Sequence, residues 1–135
     1  MLRILVVIVV ASVAGCGFEC AKTNWTGSYL VHLDEASGNC GPFPDQVVRV
    51  TNGSTEPSPG CDRDPDIWSD DECKMEESST CTDQASNSRV VVVAATNQED
   101  ADGEKLTGSA TFKIYTLDTE VLTCLSTYNT TFTRQ

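Results

Sequence analysis

The chain contains seven cysteines among its 135 residues. Large apolar residues are sparse while Thr, Ser and Gly are abundant, so the hydrophobic core of such a domain is marginal by itself. Disulfides compensate for a lean core because they restrict the unfolded chain, and each contributes typically about 2–4 kcal/mol. Zinc binding would be the competing use, but no C-x-x-C pair occurs and the one histidine is His32. The cysteines therefore favour a disulfide-stapled domain with one thiol left over.

Residues 1–15 have the layout of a secretory signal peptide. Arg3 supplies a basic start, residues 4–10 form an unbroken apolar run, and small residues follow. The apolar run is shorter than the roughly 20 residues that a helix needs to cross a bilayer. A buried N-terminal strand is the alternative, but burial does not explain this order of segments. We predict that residues 1–15 are removed as a signal peptide.

The motif Val13-Ala14-Gly15-Cys16 closes this segment and resembles the lipobox of bacterial lipoproteins. In that family the signal peptide is cut directly before the cysteine, which then receives acyl chains such as palmitate. The resemblance implies that Cys16 is the lipid-attachment residue, that residues 16–22 are a lipidated tether, and that the partner of this tether is a membrane. Because Gly17 follows instead of an aspartate, it also implies the outer membrane of a Gram-negative bacterium. Several chains anchor a protein firmly, since each buried methylene contributes about 0.8 kcal/mol.

Assigning Cys16 to the anchor leaves an even number of cysteines for the fold. An even set in an exported chain predicts three disulfides, but six cysteines allow 15 pairings and the sequence alone does not select one. The six predicted disulfide cysteines are Cys20, Cys40, Cys61, Cys73, Cys81 and Cys124.

The chain is strongly acidic, with a formal net charge of −11. Such a surface repels nucleic acid and anionic lipid, so we exclude nucleic-acid partners. Residues 62–77 hold eight acidic residues against Arg63 and Lys74. We predict an acidic, solvated loop over residues 61–83, with a short strand near residues 73–77.

Calcium binding is the alternative for this acidic segment. Asp62, Asp64 and Asp66 alternate as the first ligands of an EF-hand loop do. However, Ile67 stands where that loop needs Gly, and Cys73 stands where it needs a bidentate Glu. The solvated loop is the favoured interpretation, and no cofactor is predicted.

The body of the chain alternates apolar and polar residues with a period of two, which is typical of half-buried strands. Residues 24–33 follow this pattern, with Trp25, Tyr29 and Val31 inward and His32 outward. Residues 89–96 are apolar on both faces and rich in valine, as a central strand is. No segment carries a helical apolar stripe.

The C-terminal part alternates in the same way over residues 106–117 and 121–134. In the second of these, Leu122, Cys124, Tyr128 and Phe132 share one face, so we predict a buried disulfide from Cys124, to Cys40. Strands at this spacing predict a single all-β domain over residues 23–135. Its expected architecture is an antiparallel meander forming a small barrel or a two-layer sandwich.

The body resembles a group of small, Thr- and Gly-rich bacterial lipoproteins with no assigned activity. The resemblance rests on GNCGPFPD at residues 38–45 and CLSTYNTTFTR at residues 124–134. It implies a β-rich, cysteine-containing domain and carries no expectation of an activity.

No catalytic motif stands out. His32 lies on an outward strand face, and a Ser-His-Asp site needs a context such as G-x-S-x-G, which does not occur. Nothing singles out a pair among the acidic residues, and no glycine loop suited to phosphate occurs. We predict that the protein is not an enzyme.

Two functions therefore remain. The favoured prediction is a membrane-anchored envelope lipoprotein that acts as a structural or interaction module. The alternative is a lipocalin-like carrier of a small apolar ligand, suggested by Trp25-x-Gly27-x-Tyr29 near the start of a small β-domain. The lipocalin signature places Gly before Trp, whereas this chain has the reverse order. A core filled by aromatic side chains would argue against the carrier, and an apolar cavity would support it.

Overall fold

A computed structural model of the protein describes residues 20–135. The predicted signal peptide, the lipobox and Cys16 lie outside the described residues. In the described part a short 3-10 turn, Lys22–Asn24, precedes nine β-strands and no α-helix is present, which confirms the all-β prediction. The strands are β1 (Gly27–Gly38), β2 (Gln46–Thr51), β3 (Ser54–Thr55), β4 (Cys61–Arg63), β5 (Ile67–Ser69), β6 (Lys74–Asp83), β7 (Ser88–Gln98), β8 (Lys105–Thr116) and β9 (Leu122–Arg134).

The strands form one antiparallel sheet in the order β3-β2-β1-β9-β8-β7-β6-β4, with β5 also paired to β6. Strands β6 to β9 are a meander, and β1 adds to its end by pairing with β9. The sheet curves into a half-barrel. Of the two predicted architectures, the single curved sheet therefore corresponds to the barrel.

Alternation along the strands sends one set of side chains to the concave face. Tyr29 and Val31 are buried there, whereas His32, which follows Val31, points outward and is exposed, as predicted. Strand β7 is flanked by β6 and β8, which confirms its internal position. Its outer face is open nevertheless, because Val93 is 55% exposed.

The prediction that Leu122 points inward is wrong. The pairing of β8 with β9 shifts between Ile114 and Tyr115, and this irregularity moves the first residue of β9 out of phase. Leu122 is therefore 46% exposed, while Tyr128 further along β9 is fully buried.

The interior is packed at both ends. At the entry end, where residue 20 joins the domain, the core cluster consists of Trp25, Tyr29, Val50, Met75 and Leu106. At the opposite, far end, Phe112 packs against Phe43 and Tyr128 with ring centroids 5.1 and 5.2 Å away. The two packed ends leave the middle of the concave face less filled.

The acidic segment differs from the predicted loop. Residues 61–83 contain β4, β5 and the whole of β6, and both short strands pair with β6. The reason is visible in β6, where Met75 and Glu77 face inward while Glu76 is exposed. The acidic residues of this segment therefore lie on and between the strands at one edge of the sheet.

Candidate functional site

A groove of about 260 Å³ runs along the concave face between the two packed ends. We call it the interior groove. Its apolar lining comes from five strands and includes a residue of each packed end, Phe112 and Phe132. The apolar lining residues are Val31, Leu33, Val48, Val92, Ala94, Ala110, Phe112 and Phe132.

The room in the groove arises from two small side chains. Ala94 on β7 and Ala110 on β8 are directly opposed in the sheet, and both line the groove. The neighbouring inward pair, Val92 and Phe112, is much larger. On the other side lies the pair Thr96 and Gly108, in which the glycine has no side chain. Because packed interiors leave few voids, a depression at the opposed alanines is a space that this sequence does not fill.

The aromatic residues expected to fill the core divide between two roles. Trp25, Tyr29 and Tyr128 are at most 1% exposed and pack at the ends of the interior. Phe112 and Phe132 are only partly buried and line the groove.

The groove is bounded on one side by a seam, where the two edges of the half-barrel approach each other. The seam consists of Thr55 on β3, Arg63 on β4 and Glu77 on β6. The backbone N–H of Thr55 donates to Glu77 Oε1 at 2.9 Å. The Arg63 guanidinium donates to the Thr55 carbonyl and hydroxyl oxygens. Side chains, instead of a ladder of backbone bonds, therefore join these edges.

Negatively charged groups outnumber positively charged groups at the seam. Arg63 lies 3.9 Å from both Asp66 and Glu77, and the carboxylate side chains are only 14% and 16% exposed. Burial raises the pKa of Glu77 above its ordinary value of 4.5, although the Thr55 N–H and Arg63 act in the opposite direction. Two mostly buried carboxyl groups thus share one guanidinium.

The floor of the groove contains a buried polar side chain, Thr130 on β9. The residue is 5% exposed, and its Oγ1 makes no hydrogen bond with the residues that the structure describes. Buried hydroxyl groups normally have a partner, so this oxygen marks a position where a hydrogen bond can still form.

The six predicted disulfide cysteines form three disulfides. Cys40 pairs with Cys124, as predicted, and ties the far end of β1 to β9. The other two pairs are Cys20–Cys73 at the entry end and Cys61–Cys81 between β4 and β6. The disulfide Cys61–Cys81 contributes to the wall of the groove.

The other predicted candidates lie apart from the groove. His32 is exposed on the outer face, where its Nδ1 is 2.6 Å from Asp45 Oδ1. That hydrogen bond raises the pKa of His32 above 6.5. Within residues 20–135, no three His, Cys, Asp or Glu side chains gather as a metal site, including along the segment proposed for calcium.

Sequence reasoning missed the seam. Arg63 and Glu77 belong to a segment interpreted as a solvated loop, and their partner Thr55 lies in a separate turn-rich stretch. The alternation of Met75, Glu77 and Cys81 with exposed Glu76 was the available signal for β6.

Comparisons with family models, curated proteins and solved structures give no match for this chain. Over residues 20–135, the structure contains no helix that is long and apolar enough to span a membrane.

Proposed function

We propose that this protein is an envelope lipoprotein that binds a small, largely apolar ligand in its interior groove. The observation that carries the binding proposal is the opposed pair Ala94 and Ala110, which opens an apolar depression in an otherwise packed interior. The proposal gives the groove a binding role with no catalytic step.

The dimensions of the groove support a ligand of modest size. Its volume of about 260 Å³ lies just below the range for small-molecule sites, roughly 300–1,000 Å³. A straight alkyl chain of about eight carbons with one polar atom suits a site of this volume.

The lipobox at residues 13–16 supports the lipid anchor, and the position of Cys20 bears on how the domain would be oriented. Cys20 forms a disulfide with Cys73 at the entry end, so the chain that follows Cys16 is fixed to the domain within a few residues. In the proposal, the entry end therefore faces the membrane.

A pair of matched substitutions on β7 tests ligand binding. Ala94→Leu adds three carbons inside the groove, whereas Ala95→Leu adds the same atoms on the opposite face of the strand. With n-octanol as the probe, we expect Ala94→Leu to weaken binding by about tenfold or more, equivalent to about 1.4 kcal/mol. We expect Ala95→Leu to leave the dissociation constant within about twofold.

Calorimetric titration would measure both constants on protein in zwitterionic lipid nanodiscs, with protein-free nanodiscs as the control for partitioning. Equal affinities of both variants and the parent protein would contradict the groove as the site. Absence of any n-octanol binding would leave the structural or interaction module as the leading proposal.

Intact mass of the membrane-extracted protein tests the anchor. We expect a mass equal to residues 16–135 plus acyl chains, and no alkylation of thiols before reduction. A lipid-free mass, or a thiol that reacts without reduction, would contradict the assignment of Cys16.

A further inference from the structure

The polar residues of the interior groove are not distributed evenly. The charged side chains that line it, Glu56, Arg63 and Glu77, belong to the seam or to the linker beside it. The floor is formed by apolar residues together with the buried threonines Thr96 and Thr130. A ligand that matched this distribution of charged and apolar residues would be an amphiphile, with its polar head at the seam and its alkyl chain on the floor of the interior groove.

The seam has a deficit of positive charge. Arg63 is the one cation among the residues that line the groove, and its guanidinium is already engaged by both oxygens of Thr55. Asp66 and Glu77 each lie 3.9 Å from Arg63, beyond ordinary hydrogen-bond length. Buried carboxylates are stable when paired and hydrogen-bonded, and here two carboxylates share one cation.

The unused hydrogen-bonding capacity at the site is weighted toward acceptors, although Arg63 Nε is a buried donor that makes no hydrogen bond with the described residues and the Thr130 hydroxyl can also donate. Glu77 Oε2 accepts one long hydrogen bond, 3.4 Å from the Thr55 hydroxyl. The Asp66 Oδ1 and Thr130 Oγ1 oxygens are buried and make none with the described residues. Of these, Glu77 and Thr130 line the groove. A head group that donates several hydrogen bonds and carries a positive charge complements this set.

We propose that the ligand of the interior groove is a cationic amphiphile, with an ammonium head at Glu77 and an alkyl chain along the floor. The inference rests on the proposed function and specifies its ligand class. One added positive charge would balance the charges of Arg63, Asp66 and Glu77. An anionic amphiphile of the same size would instead meet the unbalanced carboxylates and the net charge of −11 of the whole chain.

The test compares three probes with the same alkyl chain: octylammonium, n-octanol and octanoate. The full-length protein in zwitterionic nanodiscs would be titrated at an ionic strength of about 0.1 M, where charges are screened beyond about 10 Å. We expect octylammonium to bind about tenfold more tightly than n-octanol, and octanoate to bind more weakly than both. This ranking uses the unmodified protein and does not depend on any variant folding.

Two matched variants locate the charge effect. Glu77→Gln and Glu76→Gln remove one negative charge from adjacent positions of β6, but Glu77 lines the groove and Glu76 is exposed beside Lys74 on the outer face. We expect Glu77→Gln to weaken octylammonium binding about tenfold more than it weakens n-octanol binding, because only the ammonium head loses a charge partner. Glu76→Gln should leave both affinities within about twofold.

The outcomes separate the two proposals. If none of the three probes binds, the proposed function itself fails. If n-octanol binds but octylammonium binds no more tightly, the groove binds ligands and the cationic ligand class is overturned. Equal loss of octylammonium affinity in both variants would also overturn it, because the preference would then arise from the overall charge and not from Glu77.

Discussion

Thr55 and Glu77 are hydrogen-bonded across the seam of the half-barrel, with the Thr55 backbone N–H 2.9 Å from Glu77 Oε1. Thr55 lies on β3 and Glu77 on β6, which stand near opposite ends of the strand order. An open sheet exposes unpaired backbone groups along both edges, and bringing the edges together protects them. These side chains therefore hold the curvature that encloses the groove.

The Thr55 hydroxyl is expected to stabilise the seam. Thr55→Val removes its bonds to Arg63 and Glu77 while keeping the backbone N–H that Glu77 accepts. Leaving buried charged groups short of a partner costs about 1–3 kcal/mol. Urea denaturation should show a loss of that size.

Thr111→Val is the control for this substitution. Thr111 lies 3.5 Å from the Thr127 hydroxyl, a much weaker contact at a distance from the seam, so a change below about 0.5 kcal/mol is expected. Equal destabilisation by both variants would contradict a special role for Thr55.

Glu77 should make stability depend on pH. Burial raises the pKa of Glu77 in the folded state, so the folded protein holds this proton more tightly than the unfolded chain does. The stability that Glu77 contributes to the folded state is fully present below its ordinary pKa of 4.5, and it is lost as the pH rises through the pKa of Glu77 in the folded protein. Glu77→Gln should therefore gain stability relative to the parent protein as the pH increases above 4.5. Denaturation at a series of pH values measures this difference, and a constant difference would contradict it.

The pKa of His32 should lie above its ordinary value. Its hydrogen bond with Asp45 is the main cause, and the charge of Asp34 acts in the same direction. Since the chain has one histidine, its ring proton resonances can be followed by NMR without ambiguity. We expect a pKa above 6.5 that returns toward 6.5 in Asp45→Asn and moves less in Asp34→Asn. A value at or below 6.5 in the parent protein would show that the Asp45 contact is absent in solution.

The disulfides that close the longest and the shortest loop should contribute unequally. Cys40–Cys124 spans 84 residues and Cys61–Cys81 spans 20. The chain-entropy relation gives about 4.6 kcal/mol for the longer loop and about 3.3 kcal/mol for the shorter one. Replacing both cysteines of each pair with alanine should reproduce this order in denaturation experiments. A larger loss for the Cys61–Cys81 pair would mean that its contribution comes from the folded state at the groove wall.

Much of the fold follows from local patterns in the sequence. The period-two alternation identifies β1, β8 and β9, the valine-rich run identifies β7, and the inward phase of Cys124 leads to its disulfide with Cys40. Both signals are local, because a strand assigns every second side chain to one face.

The groove and its seam depend on contacts between distant parts of the chain. The open space beside Ala94 exists only because Ala110 lies opposite it. That pairing depends on the register between β7 and β8, which the sequence of either strand alone does not determine. Arg63 and Thr55 meet because the whole sheet curves. The density of acidic residues near Arg63 also favoured a loop, although pairing with β6 makes this segment an edge of the sheet.

The most direct measurement of the central claim is NMR of alanine methyl groups during addition of n-octanol. The methyl groups of Ala94 and Ala110 line the groove, whereas Ala95 lies on the other face of β7 and serves as an internal control. Binding in the groove predicts saturable shifts of the Ala94 and Ala110 signals at concentrations that leave Ala95 nearly unchanged. Shifts of equal size at all three positions, or none at Ala94 and Ala110, would contradict a ligand site in the interior groove.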